Sequence, residues 1–153
     1  MTNVSVEIQG LEEAQAKAEQ VAQDLRGPPF VQGMRDATLI VTRDAKINAP
    51  VDTGRLRASI TPEVRPHGPT VQGVVGSNVV YAPFQELGTR PFWPPLSALE
   101  VWARRHGTTA FLVARAIATR GIKAKRYLQR ALEDNADRIF RLIGKTVGAI
   151  VSK

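Results

Sequence analysis

The triplet Asp52-Thr53-Gly54 has the residue types of an aspartic protease active site. That chemistry needs two such carboxylates sharing one proton, which a dimer would supply with one triplet from each chain. A protease triplet also follows an apolar strand, whereas Asn48-Ala49-Pro50 precedes this one. Arg55 and Arg57 follow it, and two arginines beside the paired carboxylates would hold both of them ionised. We therefore interpret the triplet as a turn between a helix and a strand.

The other residues that could carry chemistry also lack the right surroundings. Gly144-Lys145-Thr146 is similar to the end of a phosphate-binding loop, but Ile139 stands where the first glycine is needed, and the triplet falls inside a predicted helix. His67 and His106 have no second histidine or carboxylate at metal-ligand spacing. The chain has no cysteine, which excludes thiol catalysis, disulfides and cysteine-based zinc sites. The sequence therefore predicts no enzyme active site, no metal and no cofactor.

The stretch "YAPFQELGTRPFWPP", Tyr81–Pro95, contains four prolines, one glycine and four aromatic residues. Proline and glycine predict a loop, and rigid aromatic side chains lose little entropy when they dock on a partner. We predict a contact loop for another subunit or partner. The alternative is a loop that folds back on its own core, and Tyr81 and Phe84 could point inward while Phe92 and Trp93 point outward. The candidate interface residues are Tyr81, Phe84, Glu86, Arg90, Phe92 and Trp93.

The positive charge is concentrated in the C-terminal third. Residues 1–100 carry a net charge of −2 and residues 101–153 a net charge of +9, within a total of +7. Such asymmetry favours a polyanion or an acidic protein as the partner, and a solvated polar face is the alternative. Trp102 and Phe111 are expected to face the core, which leaves few aromatics for stacking on single-stranded nucleic acid. The candidate contacts with DNA or an acidic partner are Arg104, Arg105, Arg115, Arg120, Lys123, Lys125, Arg126 and Arg130.

The elements that must position these residues follow from hydrophobic periodicity. Alternation predicts a strand over Val4–Gln9, a strand over Arg55–Arg65 and its hairpin partner over Thr70–Ser77. Helical spacing predicts two helices before Pro50 and three after Pro95, the last of them long and amphipathic. The second helix is expected to be well buried. We predict an α+β fold with a small, mostly antiparallel sheet packed against several helices, as a single domain over residues 1–153.

The N-terminus has no basic run followed by an apolar core, and no apolar run is long enough to span a bilayer. Cytoplasmic synthesis and no membrane contact are therefore expected.

Three segments, taken together, resemble a family of tailed-phage neck proteins, the tail-completion or head–tail joining proteins similar to the minor tail protein Z group of lambda-like phages. The segments are "APVDTGRLRASI", "YAPFQELGTRPFWPP" and "ARAIATRGIKAKRYLQRALED", and the resemblance covers about Val41 to Asp134. Compact members run almost directly from the second segment into the last helix, whereas this chain resembles the longer members and has a helical insert at about 96–121. The matching residues are Asp52, Thr53, Gly54, Leu56, Ser59, Tyr81, Ala82, Glu86, Gly88 and Thr89, then Tyr127, Leu128, Ala131 and Leu132, with tyrosine at 127 where phenylalanine is common.

The resemblance implies a structural virion protein without enzymatic activity or cofactor. Such proteins form a ring at the head–tail interface, around the channel that double-stranded DNA crosses. The implied partners are further copies of the chain in a hexameric ring, with a twelve-subunit ring as the alternative, and the adjoining neck and tail proteins. The implied location is the virion neck or tail, after assembly in the host cytoplasm. The competing interpretation is a non-specific DNA-binding protein that uses the basic C-terminal helices.

Overall fold

The computed structural model describes residues 11–68 and 70–152, so the predicted strand Val4–Gln9 lies outside the described residues. The described chain is predominantly helical with one antiparallel two-stranded hairpin and a long C-terminal helix, which confirms the α+β prediction. None of the helices within these ranges is long and apolar enough to cross a membrane. The elements in chain order are α1 (Leu11–Asp24), α2 (Pro28–Asn48), α3 (Arg55–Ser59), β1 (Ile60–His67), β2 (Thr70–Ser77), α4 (Ala82–Leu87), α5 (Leu96–Arg105), α6 (Ala110–Arg120) and α7 (Tyr127–Val151).

Local signals set the ends of several helices. Pro28 and Pro29 occupy the first turn of α2, where the missing proline N–H groups cost no helical hydrogen bond. Thr109 caps α6, because its Oγ1 accepts a hydrogen bond from the backbone amide of Leu112 at 3.3 Å. Gly121 ends the same helix.

The prediction of a strand over all of Arg55–Arg65 is wrong in its first half. Residues 55–59 form the single-turn helix α3, and strand pairing begins at Ile60. Leu56 and Ile60 are buried and Ala58 is exposed. The two buried positions are four residues apart, a spacing that fits one face of a helix as well as one face of a strand.

The chain divides into two compact units. The first comprises Met1–Leu39, Pro62–Val74 and Ala136–Lys153, and within it α2 lies close to α7. A β-carbon added at Gly33 of α2 would lie 2.7 Å from Oγ1 of Thr146 on α7. The side chain of Thr146 therefore packs directly against the backbone of α2, in space that a side chain at residue 33 would occupy.

The second unit comprises Ile40–Thr61 and Val75–Asn135. Its core combines several alanines with two large buried side chains, Ile60 and Tyr127. Asn135, buried on α7, donates to Oδ2 of Asp44 on α2 at 2.7 Å and to the carbonyl of Ala131 at 2.9 Å. That amide therefore links α2 to α7 within this unit. The organisation of the two units as a single domain stays a prediction.

The expectation that α2 is well buried is wrong for two of its large aliphatic residues. Leu39 is 54% exposed and Ile47 is 63% exposed. The buried face of α2 consists instead of small residues at helical spacing, including Ala37, Val41 and Ala45. On α7 likewise, Leu132 is exposed while Ala131 is buried. Hydrophobicity alone misleads here, because close helix contacts select for small side chains.

Candidate functional site

The stretch Tyr81–Pro95 is half helix and half loop. Residues 82–87 form α4, with a proline in the first helical turn. Residues 90–95, called the elbow below, carry no helix or strand and lead into α5. The prediction of a proline-rich loop therefore holds for the second half of the stretch.

The last turn of α4 and the two residues that follow it pair with the segment that precedes α7. This backbone seam, between residues 85–89 and 121–126, fixes both segments even though they lie more than thirty positions apart in the sequence. Its four hydrogen bonds run from the amide of Thr89 to the carbonyl of Ile122 (2.9 Å), from the amide of Ile122 to Oγ1 of Thr89 (3.0 Å), from the amide of Lys125 to the carbonyl of Gln85 (2.8 Å) and from the amide of Arg126 to the carbonyl of Glu86 (3.1 Å).

Two glycines make the seam sterically allowed. Gly88 has φ 72° and ψ −173°, and Gly121 has φ 70° and ψ −168°. This region of backbone conformation is essentially restricted to glycine. A β-carbon at Gly88 would lie 2.5 Å from the carbonyl oxygen of Ile122, and one at Gly121 would overlap the carbonyl oxygen of Thr89. The two chain segments can therefore meet only with glycine at both positions.

Glu86 caps the first turn of α7. Its Oε2 accepts from the amide of Leu128 at 2.9 Å and its Oε1 accepts from the amide of Gln129 at 3.0 Å. A carboxylate at a helix N-terminus satisfies amides that lack an intrahelical partner and lies favourably in the field of the helix dipole. The sequence analysis placed Glu86 among interface residues, but its carboxylate is engaged in this internal cap.

Tyr127, the first residue of α7, is fully buried, and its hydroxyl has no hydrogen-bond partner among the described residues. Burial, and then the nearby ionisable groups of Glu86 and Tyr81, raise the pKa of this hydroxyl above its ordinary value. The phenol therefore ionises at a higher pH in the folded protein than in the unfolded chain.

We expect the substitution Tyr127→Phe to leave the free energy of unfolding at neutral pH unchanged or raised by up to about 1 kcal/mol, because it removes an unpaired buried hydroxyl. The raised pKa also predicts that the wild type loses stability as the pH rises above about 10, where the phenol ionises in the unfolded chain but not in the folded one. Urea unfolding at several alkaline pH values should show a smaller loss for Tyr127→Phe. The matched control is Tyr81→Phe, since Tyr81 is 40% exposed. Equal alkaline losses in Tyr127→Phe and the wild type would contradict this prediction.

The aromatic residues of the stretch face outward. Phe92 is 44% and Trp93 54% exposed, whereas the adjoining Pro94 is buried and anchors the elbow. Tyr81 and Phe84 are also exposed, so the alternative in which these two point inward is wrong.

Trp93 rests edge-on against Phe111 of α6, with ring centroids 5.8 Å apart and planes at 64°. The expectation that Trp102 and Phe111 face the core is wrong, since both are more than one third exposed. Trp102 stacks on His106 with centroids 4.0 Å apart. Trp93 and Phe111 therefore form the centre of an exposed apolar surface. The prolines of the elbow restrict the backbone that carries it.

All eight candidate basic residues are exposed. Arg105 forms an ion pair with Asp52, with Nη1 and Oδ2 3.0 Å apart. Asp52 is thus paired with an arginine. In the same turn before α3, Oγ1 of Thr53 accepts a hydrogen bond from the amide of Arg55.

Among the described residues, no cluster of histidines and carboxylates could hold a metal ion.

Comparison with known proteins gives one family. A family model described as "Bacteriophage HK97-gp10, putative tail-component" matches residues 9–88, from α1 to the end of α4. No curated protein and no solved structure gives a significant match. The family match confirms the resemblance to tailed-phage tail proteins that the sequence segments indicated. It ends where the elbow begins.

Proposed function

Since the chain belongs to the HK97-gp10-like family of bacteriophage tail components, we propose that it completes the tail at the head–tail interface. In this proposal several copies form a ring around the DNA channel in the virion neck, after assembly in the host cytoplasm. The ring has six subunits, with twelve as the alternative. In this role the protein provides contact surfaces for its neighbours and catalyses no reaction.

The observation that carries this proposal is the exposed elbow. Phe92 and Trp93 lie on the surface next to the buried Pro94, and Trp93 is supported by Phe111. Exposed apolar patches on a soluble protein mark interaction sites, and preorganised tryptophans are frequent anchors of interfaces. A ring at a junction must also present a surface to the proteins above and below it, and the elbow suits that role.

We expect Trp93→Ala to leave the protein folded and to abolish head–tail joining, since the half-exposed indole adds little to the core but much to an interface. The test is complementation of a phage that lacks this gene, scored by infectious titre and by electron microscopy of unjoined heads and tails. Circular dichroism of the purified variant checks its folding.

The matched control is Trp102→Ala, which removes the chain's other tryptophan. Trp102 lies outside the elbow and stacks on His106, so joined particles are expected from this variant. Intact, infectious particles carrying Trp93→Ala would overturn the proposed role of the elbow.

A second candidate function, non-specific DNA binding, is favoured by the exposure of all eight basic residues. Phosphate contacts need little more than accessible cations, and their affinity falls steeply with salt. A gel shift over a salt series, combined with mass photometry, separates the two functions. A higher oligomer without DNA affinity favours the neck role, whereas a monomer or dimer with salt-sensitive affinity favours DNA binding.

A further inference from the structure

Helix α7 carries an exposed apolar stripe along its C-terminal half. Phe140 is 76% and Val151 48% exposed, and a β-carbon added at Gly144 would meet open space. Ala136 and Val147 complete the stripe and are half-buried. These five residues, called the α7 stripe, recur at intervals of four, four, three and four positions and so share one face of the helix. Such a face, largely uncovered on one helix, is what a second helix would bury.

Charged residues border one flank of the stripe, and their signs are divided along the helix. At ~100° per residue, four of them lie roughly 60–140° around the helix axis from Phe140, all on the same side. The two that precede Phe140 are acidic, and the two that follow it are basic. All four are exposed, and none forms an ion pair within the described ranges. They are Asp134, Asp137, Arg141 and Lys145.

The other residues around the stripe leave this division of charge intact. Glu133 lies close to the line of the stripe, before its first residue, and adds to the acidic half. Arg138 lies on the opposite side of the helix from the stripe. The second flank is apolar and carries no charged residue between positions 132 and 147. It consists of Leu132, Ile139 and Ile143.

We propose that two copies of the chain pair through their α7 stripes, with the helices antiparallel about a two-fold axis near Phe140. In such a pair the charged flanks of the two helices meet with their residue order reversed. Asp137 of one copy then lies beside Arg141 of the other, and Asp134 beside Lys145. The two-fold axis repeats each of these pairs. A parallel pair would instead place like charges side by side, which opposes that arrangement.

The same register suits the apolar centre of the contact. With Phe140 of both copies at the axis, Ala136 of one copy faces Gly144 of the other. These small residues leave room for the two aromatic rings and let the helices approach closely. Arg130, at the far end of the acidic half, faces Gly148 and therefore meets no like charge.

A symmetric contact of this kind joins two copies and then closes, so it differs from the contact that repeats around a cyclic ring. The inference therefore goes beyond the proposed function and does not depend on it. It assigns a second copy of the chain to the α7 stripe, and it uses none of the residues of the elbow.

The absence of cysteine from the chain makes a disulfide test direct. One protein carries Ala136→Cys and the other Gly144→Cys, and the two are mixed under mild oxidation. A disulfide requires α-carbons within about 7 Å, so a mixed disulfide reports the antiparallel register. We expect the mixed product to be several-fold stronger than the product of either protein with itself. Ala149→Cys in place of Gly144→Cys is the matched control, because residue 149 is exposed on the opposite side of α7 from Phe140.

Charge exchange tests the flank. A variant with Asp134→Lys and Asp137→Lys has an all-basic flank, and a variant with Arg141→Glu and Lys145→Glu has an all-acidic one. Each variant alone should lose the two-fold contact, whereas a mixture of the two should regain it, because basic then meets acidic. Sedimentation over a concentration series measures the association, and circular dichroism checks that each variant is folded.

The apolar centre is tested by Phe140→Ala, which should raise the Kd of the two-fold contact at least about tenfold, since a central aromatic side chain carries much of the energy of an interface. The matched control is Ile47→Ala on α2, because Ile47 is also large, apolar and mostly exposed, at 63%. That substitution should leave the Kd unchanged.

A mixed disulfide no stronger than that with Ala149→Cys would overturn the inference. So would a Gly144→Cys protein that links mainly to itself, which would indicate parallel helices, or a Kd that Phe140→Ala leaves unchanged. These outcomes are separate from the proposed function. If Trp93→Ala abolishes head–tail joining while the α7 stripes fail to cross-link, this contact is wrong and the role of the elbow stands. If the stripes cross-link but Trp93→Ala particles are intact, the contact stands and the role of the elbow is wrong.

Discussion

Gly121→Ala is expected to lower the free energy of unfolding by about 4 kcal/mol, the largest effect we predict for a single methyl group in this chain. Residue 121 has φ 70° and ψ −168°, a conformation that costs other residues about 1–3 kcal/mol. The added β-carbon would also overlap the carbonyl oxygen of Thr89. That oxygen belongs to backbone held by two hydrogen bonds to Ile122, so it cannot move aside without breaking the seam.

Denaturant unfolding followed by circular dichroism, at one fixed protein concentration, measures this loss. Gly144→Ala is the matched control, because residue 144 lies inside α7 and an added β-carbon there meets open space. That control should gain about 0.5–1 kcal/mol, since alanine is the better helix former. A loss below about 1 kcal/mol for Gly121→Ala would show that the seam can relax, in contradiction to the geometry described above.

Glu86→Ala is expected to cost about 3 kcal/mol. The substitution removes two charge-assisted hydrogen bonds, to the amides of Leu128 and Gln129, and leaves the first turn of α7 without its cap. It also removes a negative charge from the positive end of the helix dipole. Glu86→Gln should lie between the wild type and Glu86→Ala, because an amide oxygen can still accept one of the two hydrogen bonds.

The same unfolding experiment measures the loss at Glu86, with Glu100→Ala as the control. Glu100 is an exposed glutamate of α5, and its replacement should change the stability by no more than about 0.5 kcal/mol. Similar losses for the two alanine variants would mean that a loss of surface charge, rather than of the cap, explains the effect.

Much of the fold could be predicted from local signals in the sequence. The prolines at 28 and 29, the threonine cap at 109 and the glycine at 121 define helix ends through their own backbone chemistry, and the structure has those ends. Strand β2 also has the predicted bounds. The assignment failed over Arg55–Ser59, where a run of five residues gives too little periodicity to separate a strand from a helical turn.

The role of Glu86 could not be predicted, because its partners lie 42 and 43 positions later in the chain. A glutamate inside a proline-rich stretch gives no local sign that a distant helix begins beside it. Exposure was misjudged for a related reason. Trp102 and Phe111 are hydrophobic enough for a core, but the buried positions of α5 and α6 are taken by Ala103 and Ala114, which permit close packing.

The backbone seam has a consequence for how this architecture can diversify. Thr89 and Gly121 both belong to the seam. Residues 90–120 therefore form one segment whose two ends are held together by hydrogen bonds. Segments with adjoining ends can be lengthened, shortened or exchanged at little expense to the rest of a protein. The elbow and Phe111 both belong to this segment. The contact surface proposed for the elbow can therefore be exchanged among related proteins together with this one segment, while α2, the hairpin and α7 remain the same.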